Sequence, residues 1–184
     1  MVSEANKNIV VLTAEPLPIG HLASRVVCPT AGAIATFVGT TRDNFEGKSV
    51  LRLEYEAYAP MAEREMHTII REARARWQLR HVAISHRIGL VPIAESSVEI
   101  AISSAHRREA LEAVHFAIDE LKARVPIWKK EVYEGGAIWK ENKESRAPTL
   151  GQMAAAEARR RSQAAAIVLA AVGVVALAAR KWSH

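Results

Sequence analysis

An α+β fold, with a mainly antiparallel sheet and two long helices, is what this sequence predicts. Three observations carry it. Several short runs alternate apolar and polar residues at the period of a strand, and two longer runs repeat apolar residues at the period of a helix. The strand-like runs are separated by short turn signals, as in antiparallel rather than strictly βαβ architectures. At 184 residues the chain is long enough to bury a core as one domain without disulfide or metal staples.

Taken in order, Asn8–Thr13 is a β-branched run closed by Pro16, Pro18 and Gly20. Ala31–Thr41 reads as a strand of small residues, followed by a polar loop from Arg42 to Gly47. Val50–Tyr58 alternates, with Leu51, Leu53, Tyr55 and Ala57 on one face or its fringe and Arg52, Glu54 and Glu56 opposing. Pro60 opens a helix that runs through Trp77, with Ala62, Met66, Ile69, Ile70, Ala73 and Trp77 at helical spacing. His81–Ile88 alternates again, Gly89 to Pro92 is expected to turn the chain, and Val98–Ile102 is a further strand. A second helix is expected from Arg107 to Val125, its apolar stripe made by Leu111, Val114, Ile118, Leu121 and Val125. Pro126 stops it, because proline cannot continue a helix and disfavours the α region for Val125. Ile127–Tyr133 and Ala137–Lys140 are short strands around Gly135-Gly136.

The basic balance, a net charge of +5, belongs to the tail. Residues 146–184 carry six basic side chains against Glu157 alone, and the rest of the chain carries nineteen of each sign. A neutral body without an aromatic-basic motif disfavours nucleic acid as a partner. One cysteine, Cys28, excludes an internal disulfide framework and fits a reducing, cytosolic compartment. The N-terminus lacks the basic and apolar regions of a signal peptide. Composition divides the chain into a domain over 1–145, a linker and Ala/Arg-rich segment over 146–163, and an apolar helical segment with a basic flank over 164–184. The uncharged run Ala164–Ala179 would span roughly 24 Å as a helix, short of a hydrocarbon core of about 30 Å. It is expected either to tether the protein to a membrane through 164–179 or to pack on a partner.

Three clusters are suited to anions. Lys122, in the last helical turn, and Lys129, on the strand beyond Pro126, can be brought together by the turn between them. Two such ammonium groups lower each other's pKa and seat an anion, although solvated lysines at a helix end are the commoner arrangement. Gly39-Thr40-Thr41-Arg42 ends a strand with hydroxyls and a guanidinium. Ser103-Ser104-Ala105-His106-Arg107-Arg108 combines a helix N-terminus with a histidine and arginines, with Ser104 as a candidate cap. His86, on an apolar strand face, reads as a core residue, and no histidine spacing marks a metal site.

The SAHR segment, followed by a helix ending LKxRxPIWKKE, resembles the large, catalytic subunit family of molybdopterin synthase. The resemblance extends to FVGTTRDxxxGKxVxxLxYEAYxxMA, to HRIGxVPxxExSVxIxxxSAHR and to the closing GxxWKxN, over roughly residues 31–145. It implies an α/β hammerhead fold and a homodimer with a small ubiquitin-like subunit docked at each end. It also implies sulfur transfer from that subunit's C-terminal thiocarboxylate to cyclic pyranopterin monophosphate, producing the dithiolene of the molybdenum cofactor. By motif, Lys122 and Lys129 fall on catalytic positions. Thr40, Thr41, Arg42, His106, Arg107, Lys130 and Glu131 fall on substrate-binding ones. Thr40 and Thr41 stand where some members carry a lysine and a valine. No permanently bound cofactor is implied, since the sulfur comes from the partner. The competing reading is a catalytically inactive, membrane-tethered adaptor of the same fold. The full cationic set argues against it, because a retired site has no physical reason to keep these groups.

Overall fold

A computed structural model of the protein describes residues 6–140. The expectations for 146–163 and 164–184, including the membrane tether, concern residues outside the described ones. Among the described residues, no helix is long and apolar enough to cross a membrane.

The structure is α+β, as the alternating and helical runs predicted. A four-stranded sheet has the order β1-β5-β7-β2, from β1 (Asn8–Thr13), β5 (Leu79–Arg87), β7 (Ser96–Ser104) and β2 (Ala33–Thr40). β1 pairs with β5 in parallel, and the other pairings are antiparallel. The second sheet runs β3-β4-β8-β9, from β3 (Asn44–Phe45), β4 (Lys48–Ala57), β8 (Ile127–Tyr133) and β9 (Gly136–Lys140). A short β6 (Gly89–Pro92) also pairs with β4. The stretch expected only to turn is therefore a strand, because β4 offers Arg52–Tyr55 as partners. The loop after Arg42 likewise contains β3, closed on β4 across Glu46 and Gly47, both at positive φ.

Helix α1 (His21–Arg25), which periodicity did not reveal, lies against β5 and β7. Its Leu22, with Val26 just beyond it, covers Ala83 and Ala101, so the central strands β5 and β7 are buried on both faces. A buried carboxylate, Glu99, accepts from the Leu22 N–H at 3.2 Å and meets His21 Nδ1 at 2.6 Å. The Leu22 N–H satisfies Oε1, while Oε2 has the His21 ring beside it but no hydrogen bond of good geometry.

The other face carries α2 (Ala59–Arg76) and α3 (Arg107–Arg124). In α2 the expected stripe is buried, except that Trp77 is the C-terminal cap and only partly covered. In α3 the buried face is Ala110, Ala113, Val114, Ala117, Ile118 and Leu121, while Leu111 is 61 % exposed. Small alanines let the helix axis approach the sheet, which rotates Leu111 outward. Each fully buried Ile or Leu contributes about 1.5–3 kcal/mol relative to exposure. Arg124 of α3 ties the helices together, reaching Glu72 at 3.0 Å and Glu65 at 3.9 Å on α2.

Gly39 is required by packing at the end of β2. A Cβ there would lie 2.7 Å from Val98 Cγ1, on a β-branched side chain with little freedom to move. Gly39→Ala is expected to destabilise the protein by about 1–3 kcal/mol through overpacking, read as a lowered urea midpoint at unchanged slope.

Candidate active site

The C-terminal end of α3, the end of β2 and the inner face of the second sheet enclose a cavity of about 270 Å³. That is near the lower end of the range for small-molecule sites, about 300–1,000 Å³. Pro126 creates the arrangement: α3 ends, the chain turns, and β8 returns antiparallel to β4 with Lys129 opposite Tyr55 and Glu131 opposite Leu53. Alternation along β8 then puts Lys129, Glu131 and Tyr133 on one face. Lys122 comes from the last turn of α3, and Thr40 and Arg42 from the end of β2 and just beyond it.

Five of the expected residues therefore line one cavity: Thr40, Arg42, Lys122, Lys129 and Glu131. Four do not. Thr41 is buried beside it, with its backbone bonded to Ala94 and Glu95. Lys130 points to the opposite face of β8, as alternation requires, pairing with Glu54 at 3.2 Å and lying over the Trp139 ring. His106 and Arg107 are exposed at the far end of α3. His106 occupies the cap position in extended conformation and makes no side-chain cap bond. Ser104 is not the cap; it belongs to β7, and its hydroxyl donates to the Gln78 carbonyl.

The site also holds an opposite charge. Lys129 Nζ lies 2.9 Å from Glu131 Oε1, so it meets an opposite charge. Glu131 is 2 % exposed. Burial pushes its carboxyl up, but the Tyr133 hydroxyl and then Lys129 outweigh this and hold it below its ordinary value of 4.5. Tyr133, donating to that carboxylate, has its own pKa pushed up to about 12 and stays protonated. A carboxylate with a depressed folded-state pKa adds stability above its unfolded value, and this is lost as pH falls through the folded one. Glu131→Gln should thus be less stable than the parent near pH 7, and the gap should shrink below about pH 4.5 in urea titrations at the two ends of this range.

Sequence reasoning missed several lining or flanking groups. The Phe45 ring, from β3, lies 5.9 Å from the Arg42 guanidinium carbon, 5.9 Å from Lys129 Nζ and 4.8 Å from Lys140 Nζ. Lys140 stands across from Lys129 in the β8–β9 register. Tyr55, His86 and Ser97 form part of the inner wall. The alternation of β4 offered a signal for Tyr55. None existed for Lys140, whose place depends on strand register.

The sequence model of the family described as MoaE protein matches residues 12–124. The chain belongs to this family. The molybdopterin synthase catalytic subunit of Homo sapiens is 55% identical over 143 residues, 78% of this chain and 76% of the human one. The crystal structure of molybdopterin synthase from Staphylococcus aureus superposes with a TM-score of 0.65 at 35% identity, covering 75% of this chain and 98% of that one. A chain of the complex of subunits 1 and 2 of molybdopterin-converting factor from Helicobacter pylori shares the fold, with a TM-score of 0.61 at 20% identity. It covers 75% of this chain and 92% of that one. The family and enzyme class implied by the sequence motifs, a molybdopterin synthase catalytic subunit of molybdenum cofactor biosynthesis, are borne out.

Proposed function

We propose that this MoaE-family chain transfers sulfur from the C-terminal thiocarboxylate of a small ubiquitin-like subunit to cyclic pyranopterin monophosphate, forming the dithiolene. The reaction is assigned to the cytosol, in keeping with the single cysteine. The observation that carries the reading is the convergence of Arg42, Lys122 and Lys129 on one cavity. Both reactants are anions, and bringing them together requires fixed positive charge. Opening the cyclic phosphate develops further charge on an oxygen, which Arg42 can stabilise by paired N–H donors. Lys122 and Lys129 are the groups positioned to hold the entering sulfur and to give or take protons. Glu131, through its contact with Lys129, fixes that lysine's position. The chain itself needs no nucleophile, since the partner brings the sulfur.

His106 and Arg107 enter this reading through a second copy of the chain. Arg107 stands fifteen helical steps from Lys122, roughly 22 Å along the axis, and His106 one residue further, too far to hold one small molecule jointly within one chain. A homodimer that offers each cavity the His106–Arg107 end of the partner's helix would complete the site.

The test is turnover with purified small-subunit thiocarboxylate and the cyclic pterin. Dithiolene formation is expected, and its absence with a folded dimer overturns the reading. A chain shortened to end at Arg146 keeps every residue named above and is expected to retain full activity in the same assay.

A further inference from the structure

The two ends of the cavity differ in hydrogen-bonding character. Its cations, Arg42, Lys122 and Lys129, can only donate. The inner wall is made of groups that the sulfur chemistry does not use. His86, on β5, is 5 % exposed, and its Nδ1 lies 2.8 Å from the Arg87 carbonyl oxygen. A carbonyl has no proton to give, so Nδ1 carries the hydrogen. Burial pushes the ring's pKa down to about 4, so the imidazole is neutral near pH 7 and Nε2 is left as an acceptor.

The Tyr55 ring stands edge-on to His86, with centroids 5.1 Å apart. Its hydroxyl is bonded to Ser97, whose own hydroxyl donates to the Gly39 carbonyl at 3.2 Å. The Ser97 proton is thereby committed, and a phenol oxygen keeps an acceptor lone pair wherever its own proton is placed. The inner wall thus offers acceptors at both His86 and Tyr55. A wall of acceptors behind a set of cations fits a ligand with N–H donors on one edge and an anionic group at the other.

We propose that His86 and Tyr55 are specificity-determining residues that accept hydrogen bonds from the N–H edge of the substrate's amino-substituted heterocycle, while Arg42, in the cationic half of the cavity, holds its phosphate end. This rests on the function proposed above and assigns the substrate its orientation. It also gives His86 a role beyond core packing.

The experiment compares His86→Asn, His86→Gln and Tyr55→Phe with the parent dimer. Asn preserves a donor toward the Arg87 carbonyl but does not reach the Nε2 position, whereas the longer Gln amide does. Losing one such acceptor from a buried polar site is expected to raise KM about tenfold at little-changed kcat for His86→Asn, with His86→Gln recovering most of it. Tyr55→Phe should raise KM in the same sense. Calorimetry without the small subunit supplies a second readout. Unphosphorylated pterin should bind more weakly to His86→Asn and Tyr55→Phe, while inorganic pyrophosphate, a probe of the cations alone, should bind all variants alike. Failure of the parent to form dithiolene while pterin binding responds as stated would sink the proposed reaction and leave the orientation standing. Parent-like KM and pterin affinity in Tyr55→Phe, which removes one oxygen and keeps the ring packing, overturn the inference. So does failure of pterin to bind the parent.

Discussion

Replacing Lys122 with Ala is expected to lower turnover about 10²-fold or more while leaving the fold intact. Lys122 is exposed on the last turn of α3 and lines the cavity, whereas the buried stripe of the helix runs through Ile118 and Leu121. Truncation therefore removes charge from the site without opening a hole in the core. Lys129→Ala should impair turnover equally but gives a less clean result. Its ammonium lies 2.9 Å from Glu131, and removing it strips a nearly buried carboxylate of its counter-charge. A stability loss should accompany the rate loss in that variant, and Lys129→Arg should restore stability before it restores rate, since guanidinium and ammonium present their donors differently. Melting curves and single-turnover rates measured together separate the two effects. Near-normal turnover in folded Lys122→Ala would sink the assignment of this cavity as the reaction centre.

Much of the fold was legible because local pattern and tertiary environment agreed. Alternation located β4 and β5, short apolar runs were read as β7 and β8, and the proline after α3 marked where the site had to turn. Legibility failed where a residue's place depends on a distant partner. β6 exists because β4 offers it an edge. Leu111 looked like part of the α3 stripe, yet the alanines pack against the sheet and turn it to solvent. The face of Lys130, by contrast, followed from alternation once Ile127–Tyr133 was read as a strand, since adjacent residues of one strand point opposite ways. The opposite charge beside Lys129 was missed. Glu131 is two residues from Lys129, on the same face of β8, and its carboxylate reaches that ammonium. His86 was read correctly as buried, but burial does not exclude lining a cavity, and its neighbour Tyr55 comes from the other sheet.

The largest gain of function is expected from mixing two impaired proteins. Arg107→Ala should be inactive for a different reason from Lys122→Ala, because Arg107 lies at the opposite end of α3 and does not line the cavity of its own chain. Suppose each site takes Arg42, Lys122 and Lys129 from one protomer and His106 with Arg107 from the other. An exchanged dimer then holds one site with both lesions and one with neither. Activity should return toward half of the parent value per mixed dimer, from a baseline about 10²-fold lower. Subunit exchange is followed independently with two affinity tags, so the recovered rate can be normalised to the mixed species. If exchange is complete and no activity returns, each site lies within one chain, and Arg107 must then act by some route other than contact with the substrate held at Lys122.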